Sequence, residues 1–124
     1  MSSKDERPRV WIGHVTLPTQ DIPGTRDFML KLGMRAIADG DDFAVLELRG
    51  GTHLLLLPAE APVSESANFD LMVDNLEATH EELHCLGLAP STIEKGRIHN
   101  SFTVTAPSGH SITFNSTHVS DMPV

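Results

Sequence analysis

Four residues near the ends of apolar stretches have side chains that could do chemistry. His14 lies in Gly-His-Val-Thr-Leu, and His53 begins the run His-Leu-Leu-Leu-Leu. Asn68 and Asp70 precede Leu-Met-Val in the middle of the chain. Imidazole and carboxylate groups bind divalent metals, and an imidazole also exchanges protons near neutral pH. We therefore expect all four to line one ligand pocket, with His14 as the catalytic residue if the protein is an enzyme.

Further residues are expected to complete that pocket. Because side chains alternate along a strand, Leu55 should share the face of His53, and Ser111 the face of Thr113. Hydroxyl groups bond to ligands but do not catalyse alone. Phe102 should share the face of Thr113 if the intervening turn, residues 106–109, has four residues. The alternative for Phe102 is an ordinary place in the core.

Simpler roles remain open for the first group. His14 could be a partly buried strand histidine, and His53 is best placed as a polar residue at the pocket rim. Asp70 could be an exposed strand end. If a metal binds, His14, His53 and Asp70 would be its ligands, provided that three strands converge.

The elements that position these residues occur twice. The stretch from Ile12 to Ile22 is repeated, with less similarity, from Asn68 to Leu76. In the same alignment Leu32-Gly33 corresponds to Leu86-Gly87. A repeat of this length fixes the architecture of a chain. Each copy predicts a strand, a helix and three strands. The predicted strands cover 10–17, 34–38, 43–48, 53–57, 68–73, 88–93, 98–105 and 110–115, and the predicted helices follow Asp21 and Asn75 and end at Gly33 and Gly87.

The predicted domain organisation follows from these two copies. Residues 1–9 form a flexible arm, residues 10–118 a single domain, and residues 119–124 a tail. Within the domain, module one covers 10–57, a Pro- and Ser-containing linker covers 58–67, and module two covers 68–118. The fold class is α+β, with two βαβββ modules forming a curved mixed sheet around a concave pocket.

Composition excludes several classes of function. The chain has 124 residues, 9 basic against 17 acidic, and a net charge of −8. This balance argues against nucleic-acid and anionic-membrane partners, which need basic surfaces. No apolar run approaches membrane-spanning length, and the first residues lack the apolar core of a signal peptide, so we expect a cytoplasmic protein. The single cysteine, Cys85, permits no internal disulfide and is expected to be a buried helix residue.

Paired βαβββ modules that begin with His-Val-x-Leu and end with Pro-Ser-Gly-x-x-Ile-x-Phe resemble the vicinal oxygen chelate superfamily. That family includes glyoxalase I, extradiol dioxygenases and bleomycin-binding resistance proteins. The resemblance covers about residues 10–118 and implies fold more strongly than function. The family's metal enzymes take ligands from the first and last strand of each module. Those positions correspond here to His14, Leu55, Asn68 and Thr113, which is one good ligand of four.

The degenerate ligand set favours a small-molecule-binding protein without a cofactor. The alternative is a metal-dependent lyase, isomerase or dioxygenase that uses His14 and a shifted ligand set, in which case a divalent metal would be the cofactor. A small organic ligand is the expected partner in the first case. We also expect a homodimer, because Trp11, apolar strand surface and both tails need cover and the family usually pairs.

Overall fold

The computed structural model describes residues 4–124, so residues 1–3 of the predicted arm lie outside the described residues. Residues 4–13 contain no helix or strand. The first strand was predicted from Val10 but begins at His14. The reason is its partner strand, which begins at His53, directly opposite His14, after the chain has turned at Arg49–Gly51.

The first module contains β1 (His14–Thr19), α1 (Ile22–Lys31), β2 (Arg35–Asp39), β3 (Ala44–Glu47) and β4 (His53–Pro58). Its sheet has the order β1-β4-β3-β2, with β1 parallel to β4 and the other pairs antiparallel. The second module contains β5 (Leu71–Val73), α2 (Leu76–Cys85), β6 (Glu94–Lys95), β7 (Asn100–Thr105) and β8 (Ser111–Ser116). Its order, β5-β8-β7-β6, repeats the first.

Both helices start and stop where the sequence predicts. The side chain of Asp21 accepts a hydrogen bond from the backbone nitrogen of Gly24 at 2.9 Å, and Asn75 does the same for Ala78 at 2.9 Å. These bonds satisfy amide groups that the first turn leaves free. Gly33 and Gly87 follow the helices with φ of 111° and 78°, the left-handed conformation that ends a helix without steric cost.

Alternate strand residues bury themselves under the helices. In the first module α1 packs on β3 and β4, and in the second α2 packs on β7 and β8. The residues that form these two layers belong to one contiguous apolar cluster. Its large buried strand residues are Leu17, Leu46, Leu54, Leu56, Phe102, Val104, Ile112 and Phe114. The opposite face of the first sheet, away from α1, is called the uncovered face below.

Two predicted strands of the second module also differ from the structure. The strand expected over 68–73 is reduced to Leu71–Val73, because only these residues pair with β8. Ser66 forms an isolated bridge to Ser111, so residues 67–70 interrupt the pairing. The strand expected over 88–93 is absent from the described residues, and the short strand Glu94–Lys95 takes its place beside β7.

The fold class is confirmed as α+β with two βαβββ modules. In the part of the chain that the structure describes, the strands form two four-stranded mixed sheets, one in each module. No helix within residues 4–124 has the length and apolar character that crossing a bilayer requires.

Candidate ligand-binding face

A row of four polar residues crosses the uncovered face, one from each strand of the first sheet. Arg35 of β2 lies opposite Glu47 of β3, and Glu47 lies opposite His53 of β4. His53 in turn lies opposite His14 of β1. Directly opposed residues project from the same face of a sheet, so the four side chains stand side by side. We call Arg35, Glu47, His53 and His14 the polar row.

Glu47 contacts two other members of this row, Arg35 and His53. Its carboxylate accepts hydrogen bonds from the guanidinium of Arg35, including one from Nε to Oε1 at 3.1 Å. Its other oxygen, Oε2, lies 3.0 Å from Nε2 of His53. The His53 and His14 rings have centroids 5.8 Å apart and are tilted by 58°. The row is therefore a chain of contacting groups that ends at an exposed imidazole.

The electrostatics of the row keep Glu47 ionised. The hydrogen bond from Arg35, and next that from His53, lower the pKa of the Glu47 carboxyl. A carboxylate only accepts hydrogen bonds, so the nitrogen of His53 that faces it must carry a proton. That assignment follows from the partner's chemistry, and in a neutral ring it leaves Nδ1 of His53 as a hydrogen-bond acceptor.

Apolar side chains occupy the uncovered face beside the polar row. Val45 lies opposite Leu55, and Leu55 lies opposite Thr16 on β1. Leu57 and Pro18 continue the same face toward the ends of β4 and β1. Leu57 is 38% exposed, a large value for a leucine in a strand. The face thus combines proton-exchanging groups at one end with an apolar surface at the other.

The second sheet presents a different surface on the side away from α2. Thr103 lies opposite Thr113, and Thr105 lies opposite Ser111. Asn115 follows on the same face and is only 4% exposed, and its side-chain oxygen has no hydrogen-bond partner within residues 4–124. Ser111 and Thr113 therefore share a hydroxyl-rich face, as their spacing predicts, and this face offers hydrogen bonds rather than acids or bases.

The prediction that Phe102 shares the face of Thr113 was wrong. Phe102 lies opposite Phe114, stacks on its ring with centroids 5.0 Å apart and is 1% exposed. Ala106 donates a backbone hydrogen bond to the carbonyl of His110, which leaves three residues in the turn between them. A turn shorter by one residue shifts the register by one, and this moves every side chain to the opposite face.

Asn68 and Asp70 do not lie in the strand that was expected to carry them. Both are exposed in the irregular segment between Ser66 and β5. Within the described residues, no three His, Cys, Asp or Glu side chains are grouped closely enough to hold a metal ion. His14 and His53 are brought together, but Asp70 does not join them. Two imidazoles are an incomplete ligand set, so the residues of one chain do not fit the metal site that the family's enzymes use.

Cys85 was expected to be buried and is instead exposed. A contact of 3.6 Å with the carboxylate of Glu81 raises the pKa of its thiol. The raised pKa disfavours the thiolate, which is the nucleophilic form. Cys85 is therefore unsuited to nucleophilic catalysis at neutral pH.

Glu47 and Arg35 were missed by the sequence analysis. Glu47 ends the run Phe-Ala-Val-Leu-Glu, where a charge on alternate spacing with Val45 marks the face opposite the core. A charged residue in an otherwise apolar strand is unusual, and it is expected to have a hydrogen-bonding or ion-pair partner. The signal was therefore present for Glu47, whereas its pairing with Arg35 depends on the register of the β2–β3 hairpin.

A cavity of about 760 Å³ lies away from the polar row, under the N-terminal arm. Among the described residues it is lined by Arg7, Arg9, Trp11 and Arg49 and by none of the predicted site residues. This cavity and the polar row thus occupy different places. The polar row is the better candidate for a ligand site, because it is built from strands rather than from an irregular arm.

The chain belongs to the glyoxalase/bleomycin resistance protein/dioxygenase superfamily, whose family model matches residues 11–114. Solved structures with a similar fold include a lactoylglutathione lyase from Agrobacterium tumefaciens, with a TM-score of 0.74 and 14% identity, covering 90% of this chain and 97% of that one. An antibiotic-binding protein from a Streptomyces species has a TM-score of 0.73 and 18% identity over 86% and 95% of the two chains.

A bleomycin resistance determinant encoded on transposon Tn5 has a TM-score of 0.70 and 17% identity, covering 89% of this chain and all of its own, 100%. Among curated proteins no match was found. Identities this low establish the fold alone, because one scaffold hosts unrelated chemistries. The family assignment confirms the resemblance seen in the sequence.

Proposed function

We propose that this protein binds a small organic molecule on the uncovered face of its first sheet, without a metal cofactor. The observation that carries the proposal is that this face is polar at one end and apolar at the other. The polar row supplies hydrogen-bonding groups, while Val45, Leu55 and Leu57 supply an apolar surface for a ring or chain. Ligand sites in proteins are typically apolar surfaces with a few placed polar groups.

The family relationship supports an organic ligand of substantial size. Two proteins of the same fold are described as an antibiotic-binding protein and a bleomycin resistance determinant. The net charge of −8 disfavours a polyanionic ligand such as a nucleic acid. An aromatic antibiotic or a similar natural product is therefore the class of ligand to test first.

A second copy of the chain would complete the site. β1 and β5 are edge strands in their sheets, so each has one side without a strand partner within residues 4–124. We propose a homodimer in which the uncovered face of one sheet is closed by sheet surface from the second module of the other chain. Ser111 and Thr113 on the hydroxyl-rich face would then contact the ligand opposite the polar row.

Calorimetric titration with bleomycin and a panel of aromatic antibiotics tests the proposal. The Leu55→Asp variant should lower the affinity of a binding compound at least about tenfold, because it places a charge on the apolar part of the face. Leu86→Asp, the same change at an exposed position after α2, is the matched control and should bind normally. Unchanged affinity in Leu55→Asp would refute the proposed location, and no binding by any compound would refute the function.

A metal-dependent lyase, isomerase or dioxygenase is the second candidate. The observation that favours it is the proximity of the His14 and His53 rings, which supply two of the three ligands such a site needs. Metal analysis of protein purified without a histidine tag, repeated for His14→Ala, separates the two candidates. About one divalent metal per chain, lost in the variant, would establish a metal site that uses His14 and would overturn binding without a metal.

A further inference from the structure

The hydroxyl-rich face of the second sheet carries a buried acceptor, the side-chain oxygen of Asn115, which has no donor within residues 4–124. We propose that Asn115, together with Ser101 and Glu94 beside it, binds a primary ammonium group of the ligand. The ligand class is then an organic cation with N–H donors. This inference rests on the proposed function, in which the hydroxyl-rich face closes the ligand site, and it specifies the chemistry of the ligand.

The three side chains stand in a row across three strands. Asn115 of β8 lies opposite Ser101 of β7, and Ser101 lies opposite Glu94 of β6. Directly opposed residues project from the same face of a sheet, with Cβ atoms about 5 Å apart. Asn115 alternates with Ser111 and Thr113 along β8, so the row belongs to the hydroxyl-rich face. We call Glu94, Ser101 and Asn115 the acceptor row, because each offers an oxygen to a donor.

The amide of Asn115 lowers the stability of the free protein. The residue is 4% exposed, and its oxygen is shielded from water as well as unpartnered within residues 4–124. Folding removes such a group from water without replacing the lost hydrogen bond, which is why unpaired buried polar groups are rare in proteins. A ligand donor that reaches this oxygen restores the hydrogen bond. The free protein is therefore prepared for a donor at this point of the face.

Met72 lies on the other side of Asn115 and gives access to it. Met72 is directly opposite Asn115 on β5 and is 45% exposed. A methionine side chain is unbranched and flexible, so it adapts to a new neighbour at little cost. Displacement of this side chain opens the amide of Asn115 to a ligand without movement of the sheet.

Glu94 determines which hydrogen-bonding group fits the acceptor row. An amide and a hydroxyl serve donors and acceptors alike, whereas a carboxylate only accepts hydrogen bonds and repels anions. Glu94 is exposed, and no cationic group within residues 4–124 forms an ion pair with it. The net charge of −8 adds to the attraction for a cation. An ammonium group has three donors and no acceptor, so it matches this row.

One ammonium group can contact two members of the row directly. Its hydrogen bonds go to Asn115 and Ser101, which are nearest neighbours, while Glu94 lies one strand further and contributes its charge. Hydrogen bonds from a charged donor are stronger than those between neutral groups. The apolar part of the ligand extends to Leu55 and Leu57 on the uncovered face that the hydroxyl-rich face closes.

The unpaired state of Asn115 can be tested without a ligand. Asn115→Val removes both polar atoms and should raise the urea midpoint of unfolding, because no buried acceptor remains unpaired. Asn100→Val makes the same change on the opposite, half-buried face of β7 and corrects for the general preference of valine for strands. The gain in Asn115→Val should exceed that in Asn100→Val. A smaller gain, or a loss, would show that the amide has a partner in solution and would overturn the inference.

The ligand class is tested with benzylamine and benzyltrimethylammonium, which share a ring and a positive charge but differ in N–H donors. NMR titration should show benzylamine bound at least about tenfold more tightly, since hydrogen bonds to a charged group contribute about that factor. Asn115→Val should reduce the affinity for benzylamine to that for benzyltrimethylammonium, and Asn100→Val should retain the difference. Glu94→Gln should weaken both probes by roughly two- to fivefold, because it removes charge alone. A preference for benzylamine that survives in Asn115→Val reflects size only and would overturn the inference.

The outcomes distinguish this inference from the proposed function. Equal binding of both probes, with both weakened in Leu55→Asp, would retain the binding face and overturn the ammonium site. Binding of an antibiotic that Leu55→Asp weakens, while neither probe binds, would overturn the ligand class in the same way. If benzylamine binds through Asn115 and Leu55→Asp affects no compound, the ammonium site stands and the proposed location on the first sheet fails. If no compound binds at all, both fail.

Discussion

Arg35 and Glu47 lie directly opposite each other on β2 and β3, and their side chains form an ion pair on the uncovered face. The same carboxylate reaches His53 on the next strand. One acidic residue thus connects Arg35 on the edge strand β2 to His53 on β4, and the His53 ring in turn contacts His14 on β1. This arrangement has consequences for stability as well as for ligand binding.

The first prediction concerns the pH dependence of stability. Arg35 and His53 lower the pKa of Glu47 in the folded protein, so the carboxylate contributes stability above the ordinary glutamate pKa of about 4.3. The contribution should disappear as the pH falls through the lowered value. Urea denaturation should show Glu47→Gln to be less stable than the wild type at pH 7 and equally stable in strong acid. Glu82→Gln, an exposed site on α2, should show no such dependence.

The second prediction concerns the turn between β7 and β8. Gly109 has φ of 94°, and a Cβ placed on it would lie 1.7 Å from the carbonyl oxygen of Val63 in the linker. Gly109→Ala must therefore displace backbone as well as strain it, and should cost more than about 2 kcal/mol of the free energy of unfolding. The linker is held here by hydrogen bonds to both backbone groups of Ser111.

Gly50→Ala is the control for that measurement. Gly50 also has a positive φ, 85°, but nothing lies within 4 Å of a Cβ at this position. Gly50→Ala should lower the free energy of unfolding by about 1 kcal/mol, which is the cost of the left-handed conformation alone. Equal losses in the two variants, measured by chemical denaturation, would show that the contact with Val63 is unimportant.

The third prediction separates the two faces of β7 and β8. Phe102 is buried against Phe114 and contacts the His80 ring edge-on, so Phe102→Ala should cost about 3–5 kcal/mol. Thr113→Val lies on the opposite, half-buried face and should change stability by less than about 0.5 kcal/mol. Thr113→Val should instead weaken ligand binding if the hydroxyl-rich face closes the site. The reverse pattern of stabilities would contradict the observed register.

These residues also show which parts of the site can be predicted from the sequence. His14 and His53 could be placed on one face because strand alternation and the repeat are local patterns. Ser111 and Thr113 follow for the same reason. Phe102 was misplaced because its face depends on whether the turn has three or four residues. The run Pro-Ser-Gly before His110 fits a three-residue turn with glycine at a positive φ, so this signal was available.

The remaining features of the site depend on tertiary structure. The contact between Glu47 and His53 requires the register of two strands separated by the turn at Arg49–Gly51. Asn68 and Asp70 matched the repeat, but only Leu71–Val73 find partners on β8, so the segment before them leaves the sheet. Pairing between separate strands decides both outcomes, and no pattern within one strand encodes it.

The final prediction is that the protein forms a homodimer that covers its N-terminal apolar segment. Val10, Trp11 and Ile12 are all exposed, with Trp11 at 71%, and Val124 at the other end of the chain lines the same cavity as Trp11. Consecutive exposed apolar residues of this size are typical of interfaces. Sedimentation should give a particle of twice the 13.5 kDa chain mass, and Trp11→Ala should weaken its association. Ile98→Ala, at an isolated residue that is equally exposed, should leave the association unchanged, while a wild-type monomer at micromolar concentration would contradict the dimer.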